Sequence, residues 1–338
     1  MFCVFIINKT VAQDLSTPVG YMNYINDQQH YMMQKSWNYM HTAAHSFDID
    51  QITKAQQELI RAVEKSLEKI KEMPAYNGNT TYRDATVAQL ENNIKVFRKE
   101  YKDMIDLKEV TLTSFNALEN YLQLKELANE KLDEYYENFK QAHRNFAAQN
   151  NITLIDFNSE LSQKIKKSVE VIEYKDQLHL NFFESYIAEI NIIESLKHED
   201  ATLLKQLNNK LIAALEKGVR SLKDKKPYNN DDQLIVAVRS IFDFYKEETT
   251  KHIPVMINYF ETKERFLELE KLMKKTPQKK LTQKRIDDYN KSVEEINKVG
   301  KDYNVTQTKL NELRSNIVLN WNVLSVNFLD THIPKEGI

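Results

Sequence analysis

Apolar residues recur at three- and four-residue steps along most of the chain, the period of an amphipathic α-helix. The first such stretch is Tyr21 to His45, with Tyr24, Ile25, Gln28, Tyr31, Met32, Ser36, Tyr39 and Met40 on one face. A turn at Asp48 to Asp50 leads into Ile52 to Met73. There Leu59, Ile60, Val63, Leu67 and Ile70 lie opposite Glu58, Arg61, Glu64, Lys65 and Glu68. Pro74 to Thr81 reads as a loop, and Asp84 to Leu107 as a third helix. No Pro or Gly interrupts Lys108 to Gln149, so one rod is expected there, roughly 60 Å long at about 1.5 Å per residue. Asn150-Asn151 breaks the pattern. Further helices are expected over Ile165 to Leu196, Thr202 to Lys223, Gln233 to Thr250 and Val255 to Lys275. A basic loop at Thr276 to Lys280 follows, and Leu281 to Val299 and Val305 to Leu329 are expected as two helices separated near Gly300.

One stretch occurs twice. LIRAVEKSL, Leu59 to Leu67, aligns with LIAALEKGV, Leu211 to Val219, at an offset of 152, and five of nine positions are identical. The offset holds through Tyr76/Tyr228 and Asn77/Asn229. Downstream, Asn92 to Tyr101 resembles Arg239 to Glu248 at an offset of 147, which implies a longer loop in the first copy. Tyr121 to Leu127 resembles Phe266 to Leu272 at 145, and His45 matches His198. A period near 150 is domain-sized, too long for solenoid units. The expected fold is all-α: two duplicated, elongated antiparallel helical bundles, residues 14–152 and 153–338.

Composition supports helices. Only 5 Gly and 6 Pro occur in 338 residues, too few for the turns of a sheet-rich fold. With 41% hydrophobic residues the chain can bury a core. Charged residues are 28% and nearly balanced, with a formal net charge of −2. That balance argues against a nucleic-acid partner, and no long run of like charge stands out. The lone cysteine, Cys3, excludes an intrachain disulfide. No stretch reaches about 18 apolar residues, so no transmembrane span is expected. Residues 1–13, MFCVFIINKTVAQ, carry an apolar run and then Val11-Ala12, like the back half of a secretory signal.

Candidate chemistry is sparse. His30, His41 and His45 are spaced by 11 and 4 and so share one helical stripe. An i, i+4 histidine pair can chelate a metal. The HTAAH segment lacks the glutamate a zinc protease needs beside its first histidine. His45 and His198 also each close a helix, where the dipole favours a cationic imidazole. The loops with Tyr76, Asn77, Tyr228 and Asn229 are a candidate partner-binding surface, although Pro, Asn and Gly there also suit plain turn chemistry. No Glu-x-x-His di-iron motif, phosphate loop or nucleophile elbow occurs. No cofactor and no enzymatic activity are expected.

The helix YMNYINDQQHYMMQKSWNYMHTAAHS, Tyr21 to Ser46, follows a signal-like segment ending in Ala-Gln. Together with the Pro-Tyr loop and the helix ending FRKEY, it resembles an uncharacterised family of all-helical bacterial surface and secreted proteins of flavobacterial and spirochaete type. The resemblance implies a secreted, periplasmic or cell-surface location, with the cytoplasm as the alternative. It assigns no site residue. The expected function is a non-enzymatic interaction module for an unknown protein or envelope component, in an oligomeric state the sequence leaves open. The alternative is a small-ligand or metal-binding bundle using the first helix.

Overall fold

The computed structural model describes residues 14–46, 48–108, 114–154 and 159–333. The signal-like segment 1–13 lies outside them. The chain is all-α, and no strand occurs among the described residues. Helix α1, Pro18–His45, starts where the Thr17 hydroxyl accepts from the Gly20 N–H at 3.1 Å, with Pro18 in the first turn. Both features suit a helix start. Helix α2, Ile49–Lys71, is capped by Asp48, which accepts from Asp50 N and Gln51 N at 2.9 and 3.2 Å. It buries Ile52, Ala55, Leu59, Ala62, Val63, Ser66 and Ile70, the three-and-four spacing that sequence predicts.

Helices α3, Thr81–Arg98, α4, Glu100–Lys108, α5, Phe115–Gln149, and α6, Glu160–Ser195, follow. Next come α7, Ala201–Leu222, and α8, Gln233–Glu247, then a π-helical turn, Glu248–His252, leading into α9, Ile253–Lys275. Helix α10, Gln283–His332, completes the chain. It runs unbroken for 50 residues through Gly300, contrary to the expected separation. One interior glycine costs about 1 kcal/mol, which the flanking turns absorb. The third helix, expected to be continuous, breaks at Lys99 (φ −102°, ψ −73°).

The chain divides into two compact units. Among the described residues, one comprises those of 14–108, 116–154, 159–170 and 332–333; the other comprises 114–115 and 171–331. The division falls inside α6, not at the loop 150–157. The first unit packs Tyr21, Ile25, Leu59, Val63, Ile70, Tyr82, Leu90, Phe97, Phe139 and Phe146 into one core. The second buries Leu178, Phe182, Leu204, Leu211, Leu234, Val238, Phe242, Met256, Leu310, Trp321 and Phe328. At Gly218 of α7 any Cβ would lie 2.6 Å from Asn181 O and from the Phe242 ring, so only glycine lets α6 and α8 approach this closely.

The loop after α2 and the loop after α7 are built alike. Tyr76 and Asn79 exchange backbone hydrogen bonds of 3.0 and 2.9 Å, and Tyr228 and Asp231 exchange bonds of 3.2 and 2.8 Å. Both central residues have positive φ: 48° and 79° at Asn77-Gly78, 48° and 66° at Asn229-Asn230. This is the type I′ combination, which only Gly, Asn and Asp adopt readily. Each loop tyrosine sits in an aromatic trio. Tyr21 stacks on Phe146 at 5.5 Å and 23°, and Tyr76 meets Phe146 edge-on at 69°. Tyr174 stacks on Phe328 at 5.6 Å and 29°, and Tyr228 meets Phe328 at 76°. Tyr21 donates to Pro74 O at 3.0 Å, and Tyr174 to Lys226 O at 2.9 Å.

The two loops correspond at an offset of 152, and the structure around them differs from two expectations. The 152 offset persists past the loops. Gln56 donates to Phe97 O, and Asn208, 152 residues on, donates to Thr249 O. Loop 72–80 is not longer than loop 223–232, so the 147 offset fails. Phe146 and Phe328 set an offset of 182 for α5 against α10. The 145 match therefore pairs non-equivalent helices. Lys- and Leu-rich helical segments resemble one another through composition alone. The extra 30 residues enlarge the α9–α10 hairpin, where nothing between 263 and 298 is buried.

Candidate buried ionic site

Three charged side chains converge in the interior of the second unit. Glu189 lies on α6, Glu248 opens the π-helical turn, and Arg314 lies on α10. Each stands in register with apolar core positions: Glu189 seven residues after Phe182, Glu248 seven after Ile241, Arg314 four after Leu310. Arg314 Nε donates to Glu189 Oε1 at 2.5 Å, and its Nη2 donates to Glu248 Oε1. Arg314 Nη1 reaches Asn311 Oδ1 at 3.3 Å. The carboxyl residues are 4% and 0% exposed.

Two carboxylates and one guanidinium leave an excess negative charge in an apolar interior, which is costly. A proton removes it. Burial pushes Glu248 up to about 8; the Glu189 charge adds to the rise and Arg314 opposes it. Burial also raises Glu189, against the pull of Arg314 and of hydrogen bonds from Glu248 and Tyr245. Tyr245 on α8 is held well above its usual range by burial, then by the two carboxylates. Both shifts favour a proton on the carboxyl pair at neutral pH. The π-helical turn begins at Glu248, and such turns recur at functional sites. Arg314 bridges one oxygen of each carboxyl group, while Glu248 Oε2 is buried without a hydrogen-bond partner among the described residues.

A separate groove of about 850 Å³ runs along α6 and α7. Its lining includes Ile187, Ala188, Leu203, Leu207, Lys210 and Lys217. It includes none of Glu189, Glu248 or Arg314.

The sequence-predicted residues are placed as follows. His41 and His45 lie with ring centroids 4.6 Å apart, and His41 packs on Trp37 at 5.7 Å. The His30 ring is exposed and bonds to Gln34 at 3.1 Å. No three His, Cys, Asp or Glu side chains among the described residues are placed to hold a metal. Tyr76 and Tyr228 point their rings back into the aromatic trios, and Asn77 and Asn229 are exposed at the turn tips. The loops thus present an asparagine at each tip, with the tyrosines half-buried. No helix among the described residues is long and apolar enough to cross a membrane.

Sequence reasoning passed over the ionic site. The available signal was three charged residues at core register in otherwise apolar stripes. In comparisons with protein-family models, with curated proteins and with solved structures, nothing matches this chain.

Proposed function

We propose that this chain is a non-enzymatic helical protein of the bacterial envelope, secreted or at the cell surface, that binds a macromolecular partner along α10. The carrying observation is an outward apolar stripe. Leu319, Val323 and Val326 recur at i, i+4 and i+7 and are 62%, 47% and 38% exposed. Trp321, Leu324 and Phe328 lie on the opposite side of the helix, about 180° away at 100° per residue, where Trp321 and Phe328 are buried. A helix apolar on two faces has more hydrophobic surface than one core uses. A contiguous patch of this kind marks an interaction site, and helix-in-groove recognition reads this spacing. The matching turns and aromatic trios support descent of the two halves from one helical unit.

A photo-crosslinking residue at position 323, installed in the producing cell, should give one discrete adduct. Leu319→Lys should abolish it while leaving the helical circular dichroism unchanged. Diffuse labelling insensitive to Leu319→Lys overturns the reading. The second reading, a metal-binding bundle on α1, has the His41–His45 ring pair in its favour. A stoichiometric transition metal in the purified chain, lost in the His41→Ala, His45→Ala double variant, would establish it.

A further inference from the structure

We propose that the tip of the α9–α10 hairpin docks on an anionic lipid surface. Residues 271–285 carry Lys271, Lys274, Lys275, Lys279, Lys280, Lys284 and Arg285 and no acidic residue. They contribute +7, leaving −9 for the rest of a chain whose total is −2. The balanced total hides this concentration.

Placement makes the charge usable. All seven cations are exposed, and nothing from 263 to 298 is buried. The hairpin therefore stands clear of the unit's core, held by Phe266 stacked on Tyr289 at 6.0 Å and Arg265 near Glu295 at 3.5 Å. Its acids, Glu264, Glu268, Glu270, Asp287, Asp288, Glu294 and Glu295, lie toward the base. Only Lys274 among the tip cations pairs, with Glu270 at 2.9 Å among the ion pairs of the described residues. The hairpin has no register counterpart in the first unit.

The chemistry favours lipid headgroups over nucleic acid. Six of the seven cations are lysines, point charges without the fork that reads phosphates and bases bidentately. No aromatic residue lies between 271 and 285 to stack on a base. Leu272, 49% exposed among the lysines, suits insertion at a headgroup boundary. Each surface cation adds about fivefold to binding of an anionic membrane. The proposal stands on charge and position and does not depend on what covers the α10 stripe.

The test is co-sedimentation of the full chain with vesicles of phosphatidylglycerol and phosphatidylcholine, against phosphatidylcholine alone. The parent should bind the anionic vesicles, and salt should release it. Replacing Lys274, Lys275, Lys279 and Lys280 by Gln should weaken binding by about 600-fold, with unchanged helical circular dichroism. Leu272→Ser should weaken it several-fold even in salt. No binding by the parent, or equal binding by the four-fold variant, overturns the proposal. Tighter binding of the parent to a single-stranded oligonucleotide than to the vesicles overturns it in favour of nucleic acid.

Discussion

Replacing Glu248 by Gln tests the ionic site most directly. Gln is close in shape to protonated Glu, can still accept from Arg314 Nη2, and carries no charge to titrate. In the parent, the folded-state value of Glu248 is raised to about 8 from an ordinary 4.5. The folded state therefore binds more protons than the unfolded state between those values. Its contribution to stability is full below the ordinary carboxyl range and declines as the pH rises through about 8. The slope is at most about 1.4 kcal/mol per pH unit, so the parent should lose about 2 kcal/mol between roughly pH 6 and pH 8. The Gln variant should lose none of this. At about pH 6 it should match the parent to within about 1 kcal/mol, and at about pH 9 it should be the more stable protein. The chain has two tryptophans, Trp37 and Trp321. In a Trp37→Phe background, Trp321 fluorescence during urea unfolding reports the second unit alone. Parallel pH slopes for parent and variant would refute a proton on the carboxyl pair.

Asn77→Ala and Asn229→Ala each place a Cβ residue at a φ of 48° and should cost about 1 kcal/mol, with Asn77→Gly close to neutral by the same unfolding assay. Gly218→Ala drives a methyl to 2.6 Å from Asn181 O and the Phe242 ring; a loss of about 1–3 kcal/mol is expected, and an unchanged urea midpoint would contradict the close helix approach. Burial among Phe182, Phe183 and Trp321 pushes His179 down to about 4. The unfolded state then binds the extra proton, so stability should fall as pH drops from about 6.5 to about 4, by up to about 3 kcal/mol. His179→Phe should flatten that limb of the pH–stability curve.

Much of the fold was legible because helical period and turn chemistry are local. Leu59, Val63 and Ile70 predicted the buried face of α2, and Pro74 with Asn77-Gly78 predicted where the chain turns. Helix ends were less legible. Gly300 reads as a break because its cost is local, while the packing of Val299 and Leu310 that carries α10 through it is tertiary. Similarity at offsets of 147 and 145 misled because the α9–α10 hairpin enlarges one half, and lysine-rich rods look alike. The ionic site was hidden for another reason. A glutamate in a helix reads as solvent-facing until its register against Phe182 and Ile192 is counted, and its partners come from 59 and 125 residues away.

The buried ions also bear on how the sequence could have changed. In the register set by the paired turns and trios, Val96 stands where the second unit has Glu248, and Leu132 stands where it has Arg314. Val96 is buried, and Leu132 packs against the hydrocarbon core of the first unit. The first unit therefore forms with aliphatic side chains at those two places. Acquiring the charges one at a time begins with a lone ion in oil, and losing Arg314 from the full set leaves two buried carboxyl groups without a counter-charge. Mutational drift at positions 189, 248 and 314 is thereby locked together, and a lineage that holds the set keeps it or replaces it whole.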